Sequence, residues 1–190
     1  GSFHGEGHLK YANGNTFTGS FKSGTKNGYG HYKTSNGFEY IGDWLNGYQT
    51  GFGAICYKNG DLYEGDVQNG LRHGAVRSFQ ASDCVWYKGA WIQGVLYGHV
   101  EISSSEWVFE GQLPEKDVIS LGKLTYPDGS KYGGQILNFK RHDIGTSTAA
   151  SGEQTCGVWK EQLHVTNAIR TDAEGIIWKG SFKNSQPDGF

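Results

Sequence analysis

One glycine recurs along most of the chain at a nearly fixed interval, and this regularity constrains the fold more than any other feature. It is the central residue of the pattern aromatic-x-Gly-x-hydrophobic, and successive copies lie 22, 23 or 24 residues apart. Phased repetition of this kind predicts a tandem array in which each repeat packs mainly on its neighbours. The eight glycines are Gly19, Gly42, Gly65, Gly89, Gly111, Gly134, Gly157 and Gly180.

The clearest copy of the repeat begins at Tyr40. Alternation along a strand places Tyr40, Gly42 and Trp44 on one face of that strand. The glycine leaves room for both rings to lie over the backbone and against the neighbouring hairpin. A second strand follows between Asn46-Gly47 and Asn59-Gly60, which match turns that need positive φ. Each repeat is therefore predicted to be one β-hairpin, joined to the next by another tight turn.

A lone two-stranded hairpin is marginally stable in water, so the hairpins must pack on one another. We therefore predict an all-β fold, an elongated twisted meander of stacked β-hairpins with about 23 residues per repeat. The composition agrees with this prediction. The chain has 31 glycines but only 3 prolines, which is not typical of a proline-rich linker, and 14% of its residues are aromatic and need burial.

The pattern Tyr-x-Gly-x-Trp-x-x-Gly followed by Gly-x-Gly resembles the MORN (membrane occupation and recognition nexus) repeat. The resemblance implies a MORN-repeat array with an aromatic-lined groove, similar to all-MORN cytoskeletal scaffold proteins. We expect a single array over 3–190, with a partial repeat at 3–14, orthodox repeats to about residue 108 and diverged repeats over 109–190. Residues 1–2 are interpreted as a cloning remnant, so the natural protein is expected to extend N-terminally.

The aromatic side chains of the orthodox repeats should form a stripe on one face of the ribbon. One interpretation is that these rings are the core of the protein, and we take this as their main role. A single layer cannot cover its rings completely, so the same stripe is also predicted to bind a partner protein or peptide. The predicted partner-binding residues of this aromatic groove are Phe17, Phe21, Tyr40, Trp44, Tyr63, Tyr87, Trp91 and Phe109.

The second half of the chain departs from the repeat. The leading aromatic becomes Thr155, and the turn glycine is lost in four successive copies. More copies have diverged than the capping of a terminus requires. This favours a specialised surface that forms a homodimer, and the alternative is tolerated drift. The predicted dimerisation residues are Ile136, Phe139, Trp159, Leu163, Trp178 and Phe182.

The three cysteines are far apart and show no Cys-x-x-Cys spacing, which favours neither a disulfide framework nor a zinc finger. Cys156, His164 and His142 could instead contribute to one zinc site shared across a dimer. The alternative is that these three residues are unrelated. No other cofactor is expected.

The formal net charge is −2, and acids balance bases in both halves, so no nucleic-acid partner is expected. Nucleotide-binding and hydrolase motifs are absent from the sequence, which predicts a protein that is not an enzyme. The expected function is a scaffold for protein–protein interaction and homodimerisation, in a cytoplasmic, cytoskeleton-associated or membrane-proximal assembly. The alternative is a phospholipid-binding recruitment module. Only Lys140 and Arg141 are adjacent basic residues, so membrane contact is expected to be peripheral at most.

Overall fold

The computed structural model describes residues 2–81, 84–113, 119–160, 164–184 and 186–188. The side chains of residues 76–79 and of residue 164 lie outside this description. The chain divides into two compact units, Gly1–Leu96 and Tyr97–Phe190.

The first unit contains eight of the strands that the structure describes. They are β1 (Gly5–Lys10), β2 (Thr16–Lys22), β3 (Thr25–Lys33), β4 (Glu39–Leu45), β5 (Tyr48–Cys56), β6 (Leu62–Gln68), β7 (Leu71–Gln80) and β8 (Trp86–Ile92). The next strand, β9 (Val95–Ser103), begins at the end of this unit.

The second unit continues with strands of the same kind. They are β10 (Val108–Leu113), β11 (Ser120–Thr125), β12 (Lys131–Leu137), β13 (Lys140–Thr148), β14 (Gln154–Lys160), β15 (His164–Thr171), β16 (Ile177–Lys183) and β17 (Gln186–Pro187). Within each unit, strands that follow one another in the chain pair in antiparallel fashion. The described residues contain no α-helix. The prediction of an all-β hairpin meander is therefore confirmed.

Two kinds of tight turn connect the strands, and both were predicted. Leu45 pairs with Tyr48, so Asn46 and Gly47 alone form the hairpin loop, with φ values of 50° and 87°. Positive φ at both central residues defines the turn whose twist matches that of the strands. The loop before β6 closes with a hydrogen bond from the Tyr57 amide to the Asp61 carbonyl (2.9 Å).

Glycines face each other across the two strands of a repeat. Gly42 of β4 pairs with Gly53 of β5, and the ring of Tyr40 lies over them. A Cβ atom at Gly42 would stand 2.6 Å from both the Gly53 Cα and the Phe52 carbonyl oxygen, and one at Gly53 would stand 2.5 Å from the Tyr40 ring. The repeat glycine is therefore required by the close approach of a backbone and a ring.

The hydroxyl of the leading tyrosine forms hydrogen bonds with backbone carbonyls. These carbonyls lie close to the point, just after the repeat glycine, where the pairing of the two strands shifts register. Tyr40 donates to the Asp43 carbonyl (2.9 Å) and the Thr50 carbonyl (3.2 Å), while strand pairing shifts between Gly42 and Trp44. Burial raises the pKa of Tyr63 and of Tyr132, the equivalent tyrosines, to about 12. The leading tyrosine is therefore a buried structural group with a neutral phenol.

Candidate partner-binding face

In each unit the leading rings and the tryptophans two residues after the repeat glycine, Trp44, Trp91 and Trp159, lie on one face of the sheet. We call it the ring face, and the opposite side is the outer face. In the first unit the ring face is a continuous cluster. Trp44 contacts Phe17, Tyr32 and Tyr40 with ring centroids 5.2, 6.0 and 5.5 Å apart, all close to edge-to-face. Tyr63 and Trp91 form a similar pair at 6.4 Å. Edge-to-face pairs of this kind add stability beyond that of burial alone.

Most of the predicted groove residues are interior residues of their own unit. Phe17, Tyr40, Trp44, Tyr63, Trp91 and Phe109 are buried, whereas Phe21 and Tyr87 are half-buried. Phe109 belongs to the second unit and packs on Phe139, with ring centroids 5.6 Å apart. A partner can reach the ring face only through half-buried side chains, so a direct partner-binding role for the predicted residues stays a prediction.

Besides the predicted Phe21 and Tyr87, the ring face has accessible aromatic residues that the sequence analysis did not select. They flank the buried cluster of the first unit and remain half-buried. Tyr11 and Tyr32 contact each other edge-on at 6.4 Å, and Phe38 and Tyr57 do so at 6.1 Å. Each lies at or beside a turn, outside the aromatic-x-Gly motif. The half-buried hydrophobic residues on this cluster are Leu9, Tyr11, Phe21, Tyr32, Phe38, Tyr57, Tyr87 and Leu96.

Cations lie over these rings. The Lys26 ammonium is 4.5 Å from the ring centroids of both Tyr32 and Trp44, and 5.0 Å from that of Phe17. Burial lowers the pKa of Lys26. The guanidinium of Arg72 stands 3.9 Å from the Trp91 ring. Cation–π contacts of this kind contribute about 0.5–2 kcal/mol each, more as they are desolvated. They also give the ring face positive charge beside exposed aromatic edges.

The same arrangement recurs in the second unit around Arg141. Its guanidinium lies 5.0 Å from the Trp159 ring and 5.1 Å from the Tyr126 ring. In each case the cation follows a tyrosine by 15 residues, namely 11 to 26, 57 to 72 and 126 to 141. This spacing is a sequence signal that could have identified the cations. Because the Arg141 side chain lies against these rings and is half-buried, Lys140 and Arg141 are not both exposed.

The predicted dimerisation residues differ in their surroundings. Ile136, Trp159 and Phe182 are buried within the second unit, and Phe139 stacks on Trp107 with centroids 4.5 Å apart. Trp178 is 43% exposed, next to exposed Ile176 and Ile177. Leu163 lies outside the described residues. Among the described members of this set, Trp178 offers the largest accessible apolar surface, and dimerisation stays a prediction.

Two of the predicted zinc ligands, Cys156 and His142, lie apart within one chain. Cys156 of β14 pairs with Thr146 of β13, and His142 lies four residues further along β13, a separation of about 13 Å at the usual strand rise. The side chain of His164 lies outside the described part. Among the described residues no group of three or more His, Cys, Asp or Glu could hold a metal ion. A zinc site shared between two chains stays a prediction.

The outer face of the first unit carries a different surface. Ile41, Leu62 and Trp86 are exposed and line a shallow depression with Glu39 and Glu64. The Glu39 carboxylate accepts from Lys33 Nζ at 2.5 Å, and this hydrogen bond lowers the pKa of Glu39. The apolar groups of the ring face therefore lie beside cations, whereas those of the outer face lie beside carboxylates, of which Glu39 is paired with Lys33.

Consecutive hairpins with paired glycines under shared rings define a tandem β-hairpin repeat protein. The MORN repeat pattern matches residues 1–16, 17–38, 40–62, 63–75 and 121–131. The chain therefore contains five MORN repeats, at these positions.

The fold is similar to that of the TCP domain of SAS-4 (dCPAP) from Drosophila melanogaster, solved in complex with a proline-rich motif of Ana2 (dSTIL). The two chains are 13% identical, with a TM-score of 0.49, over 92% of this chain and 89% of that chain. No curated protein sequence matches the chain. Within the described residues no helix has the length and apolar character needed to cross a membrane.

Proposed function

We propose that the protein is a non-enzymatic repeat scaffold that binds an extended segment of another protein on its ring face. The observation that carries this proposal is the row of half-buried aromatic side chains with cations placed between them. Aromatic side chains and arginine concentrate binding energy at protein interfaces. Extended segments suit such a surface because alternate side chains can enter successive gaps between rings.

The charge of the ring face defines the chemistry of the partner. Lys26 and Arg72 stand over rings of the first unit, and Arg72 also donates to the Gly94 carbonyl at 3.0 Å. Opposite charge across an interface favours encounter and fixes register, and like charge is strongly unfavourable. The bound segment is therefore acidic and carries apolar or aromatic side chains.

The test is to select unstructured 12-residue peptides from a displayed random library against the intact protein and measure their affinities by calorimetry. Lys26→Gln combined with Arg72→Gln should weaken the selected peptides at least about tenfold, as expected for loss of partly desolvated charge pairs. The matched control is Lys10→Gln with Lys58→Gln, which removes the same charge from two exposed positions. Equal loss in both variants, or selection of basic peptides, would contradict the proposal.

Homodimerisation through the second unit is part of the same proposal. It is supported by the exposed apolar run of Ile176, Ile177 and Trp178 near the last described hairpin. Light scattering should give the mass of a dimer for the protein at micromolar concentration, and Ile177→Ser with Trp178→Ser should convert it to a monomer. A monomeric parent protein removes this part of the proposal and leaves peptide binding unaffected.

A further inference from the structure

The ring face of the second unit lacks an aromatic side chain at one of its leading positions. Thr155 stands at the leading position, where the equivalent residue of the preceding repeat is the buried Tyr132. A space of about 120 Å³ opens at this point. Its lining includes Arg141, Glu153, Thr155, Trp159, Val165 and Arg170.

The space persists because the neighbouring strand fills only part of it. In the preceding repeat the Tyr132 ring lies over Gly145. At Gly157 the nearest side chain is Val165, whose Cγ2 would be 2.6 Å from an added Cβ. Val165 reaches this position through a register shift between Val165 and Ala168 on β15, and both are buried. Val165 covers Gly157, and the rest of the space that a leading ring would occupy stays open.

The open part is positively charged. Arg170 donates from Nη2 to Glu153 Oε2 at 2.6 Å, so that pair is close to neutral. Arg141 contacts the rings of Tyr126 and Trp159, and no carboxylate of the described residues lies within the 4.0 Å ion-pair distance of its guanidinium. A guanidinium held against rings keeps a planar set of donors that matches a carboxylate.

We propose that this pocket binds the carboxylate of an acidic side chain belonging to an extended segment of a partner protein, with Arg141 as its main donor. The inference rests on the proposed function and identifies one anchor of the partner. The volume favours an aliphatic acid over a ring, because a dry cavity that holds benzene measures about 150 Å³.

The test uses a minimal probe, N-acetyl-glutamic acid α-amide, with N-acetyl-glutamine amide as its neutral control. Indole N–H signals of the ¹⁵N-labelled protein are followed during titration. The acidic probe should shift the Trp159 signal saturably, whereas the Trp44 signal, from a ring position that is filled, should stay in place. The neutral probe should bind at least about tenfold more weakly, as expected for loss of a hydrogen bond to a charged group.

Three variants complete the experiment. Thr155→Tyr fills the open space with a ring and Arg141→Gln removes the charge, and each should weaken the acidic probe at least about tenfold. Lys26→Gln removes a cation of the first unit and should leave the titration unchanged. If Thr155→Tyr does not fold, Arg141→Gln decides alone. Unchanged affinity in Arg141→Gln, or equal shifts with the neutral probe, overturns the proposal.

A parallel titration with sodium acetate and sodium phosphate separates a side-chain ligand from a small free anion. Phosphate or acetate binding more tightly than the acidic probe would overturn the assignment to a protein side chain. The peptide selection described above depends on Lys26 and Arg72 in the first unit. Failure of this pocket is therefore distinguishable from failure of the scaffold proposal.

Discussion

Replacing Gly42 by alanine is expected to lower the free energy of unfolding by about 3 kcal/mol, the upper end of the usual cost of overpacking a close contact. The added methyl group would meet the Gly53 Cα and the Phe52 carbonyl oxygen at 2.6 Å, and the Tyr40 hydroxyl at 2.7 Å. Two of these atoms belong to the backbone of β5, which is paired with β4 on one side and β6 on the other. The strand cannot move away without losing hydrogen bonds.

Gly133→Ala is the matched control. Gly133 also lies within a repeat strand, but no atom stands within 4 Å of an added Cβ, and its φ is not positive. Urea unfolding followed by far-ultraviolet circular dichroism should show little change for this variant. Similar destabilisation by both alanines would mean that the close approach at Gly42 does not decide the loss of stability.

Truncating Trp44 to alanine should cost about 4 kcal/mol, within the range for buried aromatic residues. Trp44 is 5% exposed, and its indole N–H donates to the Gly30 carbonyl at 3.3 Å. Its ring joins Phe17 to Tyr40, which belong to successive repeats. The substitution therefore removes the ring contacts that link one hairpin to the next, together with a buried hydrogen bond.

Trp86→Ala provides the comparison on the outer face of the same unit. Trp86 is 46% exposed, and truncation should cost no more than about 1 kcal/mol. Thermal and urea unfolding of the two variants should separate them clearly. If Trp86→Ala is as damaging as Trp44→Ala, the outer face contributes to the core, and the assignment of one buried face is wrong.

The hairpin architecture could be predicted because the same turn and strand residues recur in successive repeats. The Asn46-Gly47 turn, the alternation around Gly42 and the facing glycines each depend on residues close together in the chain. The pattern also identified the leading rings, of which the structure buries Phe17, Tyr40, Tyr63, Phe109 and Tyr132. Burial of these rings within the unit follows from the absence of a Cβ at glycine, since a ring can lie flat on the exposed backbone.

The cations of the ring face follow a tyrosine by 15 residues in the sequence, but they were missed because their contacts with the rings extend across several strands. Lys26 belongs to β3, yet it lies over Trp44 of β4 and Phe17 of β2. Only part of the pocket at Thr155 could be predicted from the sequence. The lost aromatic was evident, but the position of Val165 depends on a register shift that no local pattern encodes.

The most direct test of the central claim, that the ring face binds partner segments, is to map the indole N–H signals during titration with the selected acidic peptides. Trp44 and Trp86 belong to the same unit and lie on opposite faces, so they report on the two surfaces in one spectrum. We predict that the Trp44 signal shifts on binding and that the Trp86 signal does not. Shifts confined to Trp86 would place binding on the outer face and contradict the claim.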